Sequence, residues 1–417
     1  MPARTSPNNR QPAEAREVET TTCCIVGGGP GGMMLAYLLA RRDVPVMLLE
    51  AHTDFDRDFR GDTIHPSTLE LLDQLGLADR LLQIPHSEIR RLTFTTPDGP
   101  IDLVDLSHLQ TRFPFVAIMP QVRFLEFLVA EAQRLPSFRL VLGANVQRLV
   151  EEEGVVRGVR YRDHENRWHE VRALLTVAAD GRFSRIRHLL RLEPIATSPS
   201  MDVLWFRLPR RPSDPVEGGG FLGRGHLLVL LRRPDDWQIA YVIPKGGYQE
   251  LRAAGLEALR RSAAALVPWL ADRVDLLQDW HQMSLLSVES SRLRRWHRPG
   301  VLLIGDAAHV MSPVGGVGIN YAIQDAVVAA NVLAEPLRAG RLRLRDLAEV
   351  QRQREWPVHI IQALQGQLQQ RLIARALHAG RRFQLPLPLR VLLHLPWLRD
   401  LPARLLAYGP RRVRLEG

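Results

Sequence analysis

From Thr20 the chain alternates short apolar runs of strand character with segments of helical period. TTTCCIV reads as a strand, GGGPGG as a loop, MMLAYLLARR as a helix and VPVMLLE as a second strand. PSTLELLDQLGL reads as a helix, with Ser67 as its cap and Glu70 three residues on completing a capping box. IRRLTF and IDLVDL alternate like strands about a PDG turn, and RFLEFLVAEAQRL returns to helical period. A β-rich stretch to residue 178 and the motif DGRFS follow. DVLWFRL, GHLLVLL and WQIAYVI then predict a small antiparallel sheet. A charged helix over 250–266 leads to a buried strand, VLLIGD, and a long helix from Gly318 to Leu337. The remainder reads as short helical pieces. This order predicts an α/β fold in which one nucleotide-binding domain is interrupted by an antiparallel-sheet substrate domain.

The predicted boundaries are a disordered leader at 1–18, then a discontinuous nucleotide-binding domain at 19–88, 114–185 and 286–365. Residues 89–113 and 186–285 form the substrate domain, and 366–417 a basic Leu/Arg-rich helical tail. Composition sharpens this picture in three places. Of the 417 residues, 46% are apolar and 24% charged, which is ordinary for a globular chain. The net charge is +10, but residues 371–417 hold ten arginines against two acids, so the basicity belongs to the tail and no nucleic-acid groove is expected. Cys23 and Cys24 are adjacent in a strand and point to opposite faces, which excludes a disulfide framework and fits a reducing compartment. The polar N-terminus does not read as a signal peptide, and no uncharged apolar stretch reaches the ~18 residues of a membrane span. A cytoplasmic protein is expected.

The candidate chemistry begins with Gly27-x-Gly29-x-x-Gly32, directly after a strand and opening a helix. Gly27 permits the tight turn, Gly29 lets backbone approach a pyrophosphate, and Gly32 allows close packing of helix on strand. Pro30 suits the first helical turn, and Gly31 belongs to the same phosphate loop. The helix start offers free N–H groups to phosphate, and Glu50, ending the second strand, can hold ribose hydroxyls. This motif leaves FAD and NAD both open. VLLIGDAAHVMSPVGGVGIN adds a strand ending in Gly305-Asp306, placed for a polyol such as ribityl. Its loop, with Pro313, delivers the N–H groups of Gly318, Ile319 and Asn320 to a second helix start, suited to the anion of a reduced flavin. LTVAADGRFSRIR ends another strand in Asp180-Gly181, with Ser184 and Arg187 beyond.

Together these blocks resemble the flavoprotein monooxygenases of the p-hydroxybenzoate hydroxylase type. The first is similar to that family's GxGxxGxxxAxxLxxxGxxVxxxE, with Ala36, Leu39, Val46 and Glu50 in place. Asp180-Gly181 resembles its DG motif, and Gly305-Asp306 with Pro313, Gly318 and Asn320 its GD motif. The resemblance implies a Rossmann-type FAD-binding domain with an antiparallel-sheet substrate domain and a C-terminal helical tail. It also implies that Arg60 meets the FAD diphosphate, that Gln121 or Arg123 contacts the ribose region, and that Val146 lies near the adenine. NAD(P)H would reduce the FAD transiently, with no second Rossmann domain. The activity implied is a single-component monooxygenase. With O2, a flavin C4a-hydroperoxide would hydroxylate or epoxidise an aromatic, phenolic or polyketide-like small molecule. The alternative is an FAD-dependent reductase or dehydrogenase acting on a lipophilic, prenyl-like substrate without oxygenation.

Two positions depart from the family pattern: Asp43 stands where glycine is usual, at a turn that needs a left-handed residue, and Ser312 replaces one of two prolines. His309 is read as a hydrogen-bonded loop histidine and not as a catalytic base, and no metal site is expected. Trp205, Phe206, Trp237 and Tyr241 lie on the predicted sheet and read first as core. Period two puts Trp237, Ile239 and Tyr241 on one face without saying which face looks inward. No catalytic base can be named. Lys245, the only lysine, follows a proline in the insertion, which argues against a halogenase. The tail's leucines and arginines segregate well enough to suggest a weak peripheral contact with an anionic membrane, but its prolines favour packing on the flavin domain.

Overall fold

The computed structural model describes residues 18–56, 62–197, 199–223, 225–377 and 400–416. Arg60, residues 1–17 of the leader and the tail segment 378–399 lie outside the described residues. Val18, the last residue assigned to the leader, instead begins the first strand, opposite Glu170.

The main sheet runs, in spatial order, His297–Arg298, Val301–Leu303, Trp168–Ala178, Val18–Val26, Val46–Leu49 and Phe138–Val141. Val18–Val26 lies between parallel neighbours on both sides, and the pairs beyond, to Phe138–Val141 and Val301–Leu303, are also parallel. Strands buried on both faces read as near-continuous apolar runs, which is why CCIV and VMLL carry no alternation. Cys23 and Cys24 are free thiols, both fully buried. The helix Pro30–Ala40 is buried at every position from Gly31 on, because it is sandwiched between this sheet and the helix Gly318–Arg338. At its end Asp43 adopts φ +57°, the left-handed conformation its turn requires.

The second sheet runs Ser284–Leu286, Met201–Pro209, Asp236–Pro244, His226–Arg232, Gly219–Gly223, Arg91–Thr96 and Gly99–Asp105. Its two faces differ. Phe206, Trp237, Ile239 and Tyr241 pack beneath the helix Leu256–Leu266, together with Leu259 and Ala263. Met201, Val203, Leu227, Ala240 and Val242 look the other way, onto a cavity that strand ends of the main sheet also line.

Several sequence expectations need correction. The helix read from Ser67 starts at Pro66, with His65 at the cap position and no side-chain cap. Proline's fixed φ suits the first helical position and moves the start. The buried Ser67 hydroxyl has no partner among the described residues, while Glu70 accepts from Thr111, Tyr408 and Arg412. The helix over 250–266 breaks at Gly255, φ +86°. Beyond 337 the chain makes one long helix, Leu344–Leu368, continued by a π-helical turn at Gln369–Ile373. In the tail, the helix Leu401–Tyr408 buries Ala403 and Ala407 against Leu106, Leu109, Val116 and Ile118. Residues 411–416 fasten to Glu70, Gln74 and Asn331. Among the described residues one segment, Val314–Arg338, is long and apolar enough to cross a membrane, but 72% of its apolar 18-residue stretch is buried in the protein.

Candidate active site

The first glycine loop is dictated by close approach. A Cβ on Gly27 (φ +106°) would stand 2.3 Å from the Ala179 carbonyl oxygen, and one on Gly32 would stand 2.0 Å from the Gly27 oxygen. Gly29 has nothing within 4 Å of its Cβ position, so the backbone there opens onto a cavity, and Gly31 faces Ala322 of the helix Gly318–Arg338 at 3.0–3.2 Å. Glu50 steadies this loop: the Gly28 N–H donates to Oε2 at 2.8 Å and the His52 N–H to Oε1 at 3.0 Å.

The other two motifs are stapled together. The Asp180 carboxylate accepts from the Ser184 hydroxyl at 2.6 Å and the Ile186 N–H at 3.1 Å. Burial pushes it above its ordinary value against those bonds. The Arg187 guanidinium donates to the carbonyls of Asp306 (3.2 Å), Ala307 (3.1 Å) and Arg182. Gly305, at φ +57°, donates its N–H to Asp325 Oδ2 at 3.0 Å. Asp325 also receives His309 Nε2 at 2.6 Å and Arg354 Nε at 2.7 Å. Burial alone would raise the Asp325 carboxyl, but these two partners hold it below its ordinary value. His309 is therefore buried and hydrogen-bonded, as expected, but it lies on a two-residue strand, His309–Val310, paired with Ser291 and Arg292, and not in a loop.

The long helix Leu344–Leu368 and its π-helical extension hold the following loop with glutamines. Gln362 Nε2 donates to Ser291 and Val310 carbonyls, Gln365 Nε2 to Ser312 and Val314 carbonyls, and Gln369 Nε2 to the Ser312 hydroxyl. Ser312, where the family usually has proline, thus gains a hydroxyl that is used. Asn320 is likewise spent on structure: Oδ1 accepts from the His65 N–H (2.9 Å) and the Thr68 hydroxyl (2.8 Å), and Nδ2 donates to Thr63 O at 3.2 Å.

All three motifs open on one cavity of about 1310 Å³. This exceeds the roughly 300–1,000 Å³ of a single small-molecule site, so a dinucleotide and a second molecule can share it. Gly27, Gly29, Pro30, Gly31, Gly32, Glu50, Gln121, Val146, Asp180, Gly305, Asp306, Pro313, Gly318 and Ile319 line it. Arg123 does not: its side chain is exposed and pairs with Glu126, because position 123 lies on the solvent side of the helix Gln121–Ala132. Trp237 and Tyr241 face away, whereas Trp205, Gln238, Ala240 and Val242 face in. Lys245 is outside the lining, donating to Asp202 Oδ1, Ser287 Oγ and Val288 O at 2.8–2.9 Å.

Asp62 and His65, both lining the cavity, escaped the sequence reading. They sit in the same RGDTIHPS segment as Arg60, and nothing local marks them, since their partners are distant. His65 Nδ1 donates to the Leu406 carbonyl at 2.8 Å, and burial lowers its imidazole to about 4.

A mixed, centrally parallel sheet with glycine loops and carboxylates at its strand ends, opening on a chamber lined by a second sheet, defines a flavoprotein oxygenase architecture. The chain belongs to the FAD binding domain family, which matches residues 19–358. It is 36% identical over 324 residues to 6-methylpretetramide 4-monooxygenase of Streptomyces rimosus, covering 76% of this chain and 74% of that one. It spans about half the length of several other curated relatives it matches. Among solved structures, OxyS anhydrotetracycline hydroxylase from Streptomyces rimosus superposes with a TM-score of 0.73 at 25% identity, covering 93% of this chain and 76% of that one. PqsL, a probable FAD-dependent monooxygenase from Pseudomonas aeruginosa, superposes with 0.72 at 21%, covering 86% and 97%. The chain is an FAD-dependent monooxygenase.

Proposed function

We propose that this enzyme uses NAD(P)H and O2 to hydroxylate or epoxidise an aromatic, phenolic or polyketide-like small molecule. One observation carries the reading: a single cavity joins a phosphate-loop end to an apolar sheet face. The residues present fit FAD. Gly29 leaves its backbone open to the cavity, and the helices Pro30–Ala40 and Gly318–Arg338 start at it with N–H groups that lack intrahelical acceptors. Gly27, Gly29, Pro30, Gly31 and Gly32 would hold the diphosphate, Glu50, Gln121 and Val146 the adenosine side, and Asp180, Gly305 and Asp306 the ribityl region. Pro313, Gly318, Ile319 and the backbone of Asn320 would face the ring. Bound there, FAD supplies hydride acceptance and the activation of O2. The chain's own part is to exclude water and orient the substrate. Val203, Trp205, Leu227, Val229, Ala240 and Val242 present an apolar wall for that purpose.

The test is to supply FAD-loaded protein with NAD(P)H, labelled O2 and a panel of polycyclic phenols. A product carrying one labelled oxygen supports the proposal. NAD(P)H consumption that depends on substrate but not on O2 would instead favour the reductase alternative. Asp306→Ala is expected to lose FAD, and full flavin occupancy in that variant would count against the assignment of this site. Two free, buried cysteines fit a cytoplasmic enzyme. Peripheral contact of the basic tail with anionic lipid is a separate, weaker element of the proposal, checked by liposome co-sedimentation.

A further inference from the structure

We propose that a basic pocket beside the adenosine end of the cavity takes the 2′-phosphate of NADPH, so that NADPH reduces the enzyme in preference to NADH. The inference rests on the reading above, in which a nicotinamide nucleotide is the reductant. Its starting point is a second cavity, of about 440 Å³, whose lining includes Arg148, Arg162, Asp163, Trp168 and Arg185. Asn145 and Arg185 line both cavities, which places this pocket next to Val146.

Backbone register brings the cations together. The strands Asn145–Glu152, Val155–Arg162 and Trp168–Ala178 form an antiparallel meander. In it Asn145, Arg162 and Trp168 stand in one row, and Arg148, Arg160 and Glu170 in the next. Asn145 and Arg148 are three residues apart, so strict alternation would send them to opposite faces. A bulge between the two rows puts both on one face. The guanidinium groups of Arg148 and Arg162 then lie over the Trp168 ring, 5.0 and 4.7 Å from its centre. The helix Arg185–Leu189 packs on Asn145–Glu152 and adds Arg185 to the pocket.

Elsewhere on this meander the arginines are neutralised: Arg160 pairs with Glu170 at 2.7 Å, and Arg172 with Glu152 and Glu170. Arg148, Arg162 and Arg185 have no acid partner among the described residues. Arg162 donates to Asn166 Oδ1 at 2.7 Å, and its Nε is buried without a hydrogen bond among the described residues. Asp163, the acid lining the pocket, is fully occupied. Its oxygens accept from the Glu165 and Arg167 N–H groups and from Arg167 Nε, and meet His169 Nε2, at 2.7–2.9 Å. Three converging cations without counter-charges call for an anion.

Stacking on Trp168 leaves N–H groups of Arg148 and Arg162 free at the guanidinium edges, the geometry that meets phosphate oxygens. The glycine loop at Gly27 already provides for the diphosphate of FAD, so this anion is a further one. The pocket lies within the ~300–1,000 Å³ of small-molecule sites and holds more than a bare phosphate. Two residues before Arg185, Phe183 lines the main cavity yet stays 77% exposed, an aromatic face on which a nucleotide base stacks. A phosphate monoester on a nucleotide that must also reach the flavin describes NADPH, and that phosphate is what NADH lacks.

Two measurements on FAD-loaded protein test this. In calorimetric titration, wild type should bind 2′,5′-ADP at least about tenfold more tightly than 5′-AMP, which has no 2′-phosphate. In anaerobic stopped flow, flavin reduction should half-saturate at an NADPH concentration at least about tenfold below that of NADH. Arg148→Gln/Arg185→Gln, at two exposed positions, should erase both preferences. Should the double variant lose its FAD, Arg148→Gln alone is read in the same way. Equal affinity of wild type for 2′,5′-ADP and 5′-AMP would overturn the proposal, as would an NADPH preference that the variant retains. Inorganic phosphate binding as tightly as 2′,5′-ADP would make this a general anion pocket and overturn it too. If neither nucleotide reduces the flavin, it is the NAD(P)H reading that fails, and the calorimetric comparison still decides whether the pocket selects a 2′-phosphate.

Discussion

The two walls of the cavity are built on opposite rules. On the cofactor side, backbone decides: Gly27 and Gly32 lie where any Cβ would strike a carbonyl, and the Glu50 and Asp180 carboxylates are fixed by the Gly28 and Ile186 N–H groups. On the substrate side, side chains decide: one strand, Asp236–Pro244, sends Trp237, Ile239 and Tyr241 into a core under the helix Leu256–Leu266, and Gln238, Ala240 and Val242 into the cavity. The first wall tolerates almost no change, while the second can be rewritten residue by residue without touching the fold. Such a division lets one cofactor scaffold serve many substrates.

The strongest way to test the contrast is at Gly32. Gly32→Ala places a methyl 2.0 Å from the Gly27 oxygen, a backbone clash that should cost about 3 kcal/mol or more and abolish flavin retention, read as absorbance at the flavin band per mole of protein. A variant that keeps its flavin would break the claim that backbone rules this wall. Next comes a pair on one strand. Trp237→Ala should destabilise by about 3–5 kcal/mol in urea unfolding. Ala240→Leu, three residues away but facing the cavity, should change stability by about 1 kcal/mol or less and shift the size of substrate accepted.

The subtlest effect lies where the walls meet, at Asp62 and His65. The unfolded chain protonates its histidine near pH 6.5, but burial holds folded His65 neutral down to about 4. Stability from this group is therefore complete above 6.5 and is lost as pH falls toward 4. Asp62 acts in reverse: the folded state holds a proton up to about 6 that an unfolded aspartate releases near 3.9, so its stabilising effect fades as pH rises through that range. The two slopes oppose each other between pH 4 and 6. His65→Gln removes one of them, and should gain about 2 kcal/mol relative to wild type at pH 4.5 compared with pH 7.5, measured by denaturant midpoints. No difference between the two pH values would show that His65 is not held neutral.

The cofactor side was legible in the sequence for the same reason that it is rigid. Glycines at fixed spacing, strands ending in Glu50, Asp180 and Asp306, and the left-handed turn at Asp43 are local demands of backbone geometry, visible without a fold. What the sequence hid depends on long-range neighbours. Period two identified the aromatic face of the second sheet, but only the helix Leu256–Leu266, which covers it, makes that face the inside of a core. Asp62 gains its character from Arg233 and Gln238, more than 170 residues on, and Ser312 from Gln365 and Gln369. Ser67 misled because a capping pattern was outweighed by Pro66. Arg123 misled because the motif that pointed to the helix start at Gln121 does not say which side of the helix meets the ligand.

The glutamines of the last long helix have a consequence for how the enzyme is made. Gln362, Gln365 and Gln369 hold the loop at 310–314, yet they are synthesised some fifty residues after it and more than three hundred after the phosphate loop at Gly27. Chains emerge and fold from the N-terminus at about 5–20 residues per second. On the ribosome, then, the first half of the cofactor's cradle is made many seconds before the residues that pin its second half.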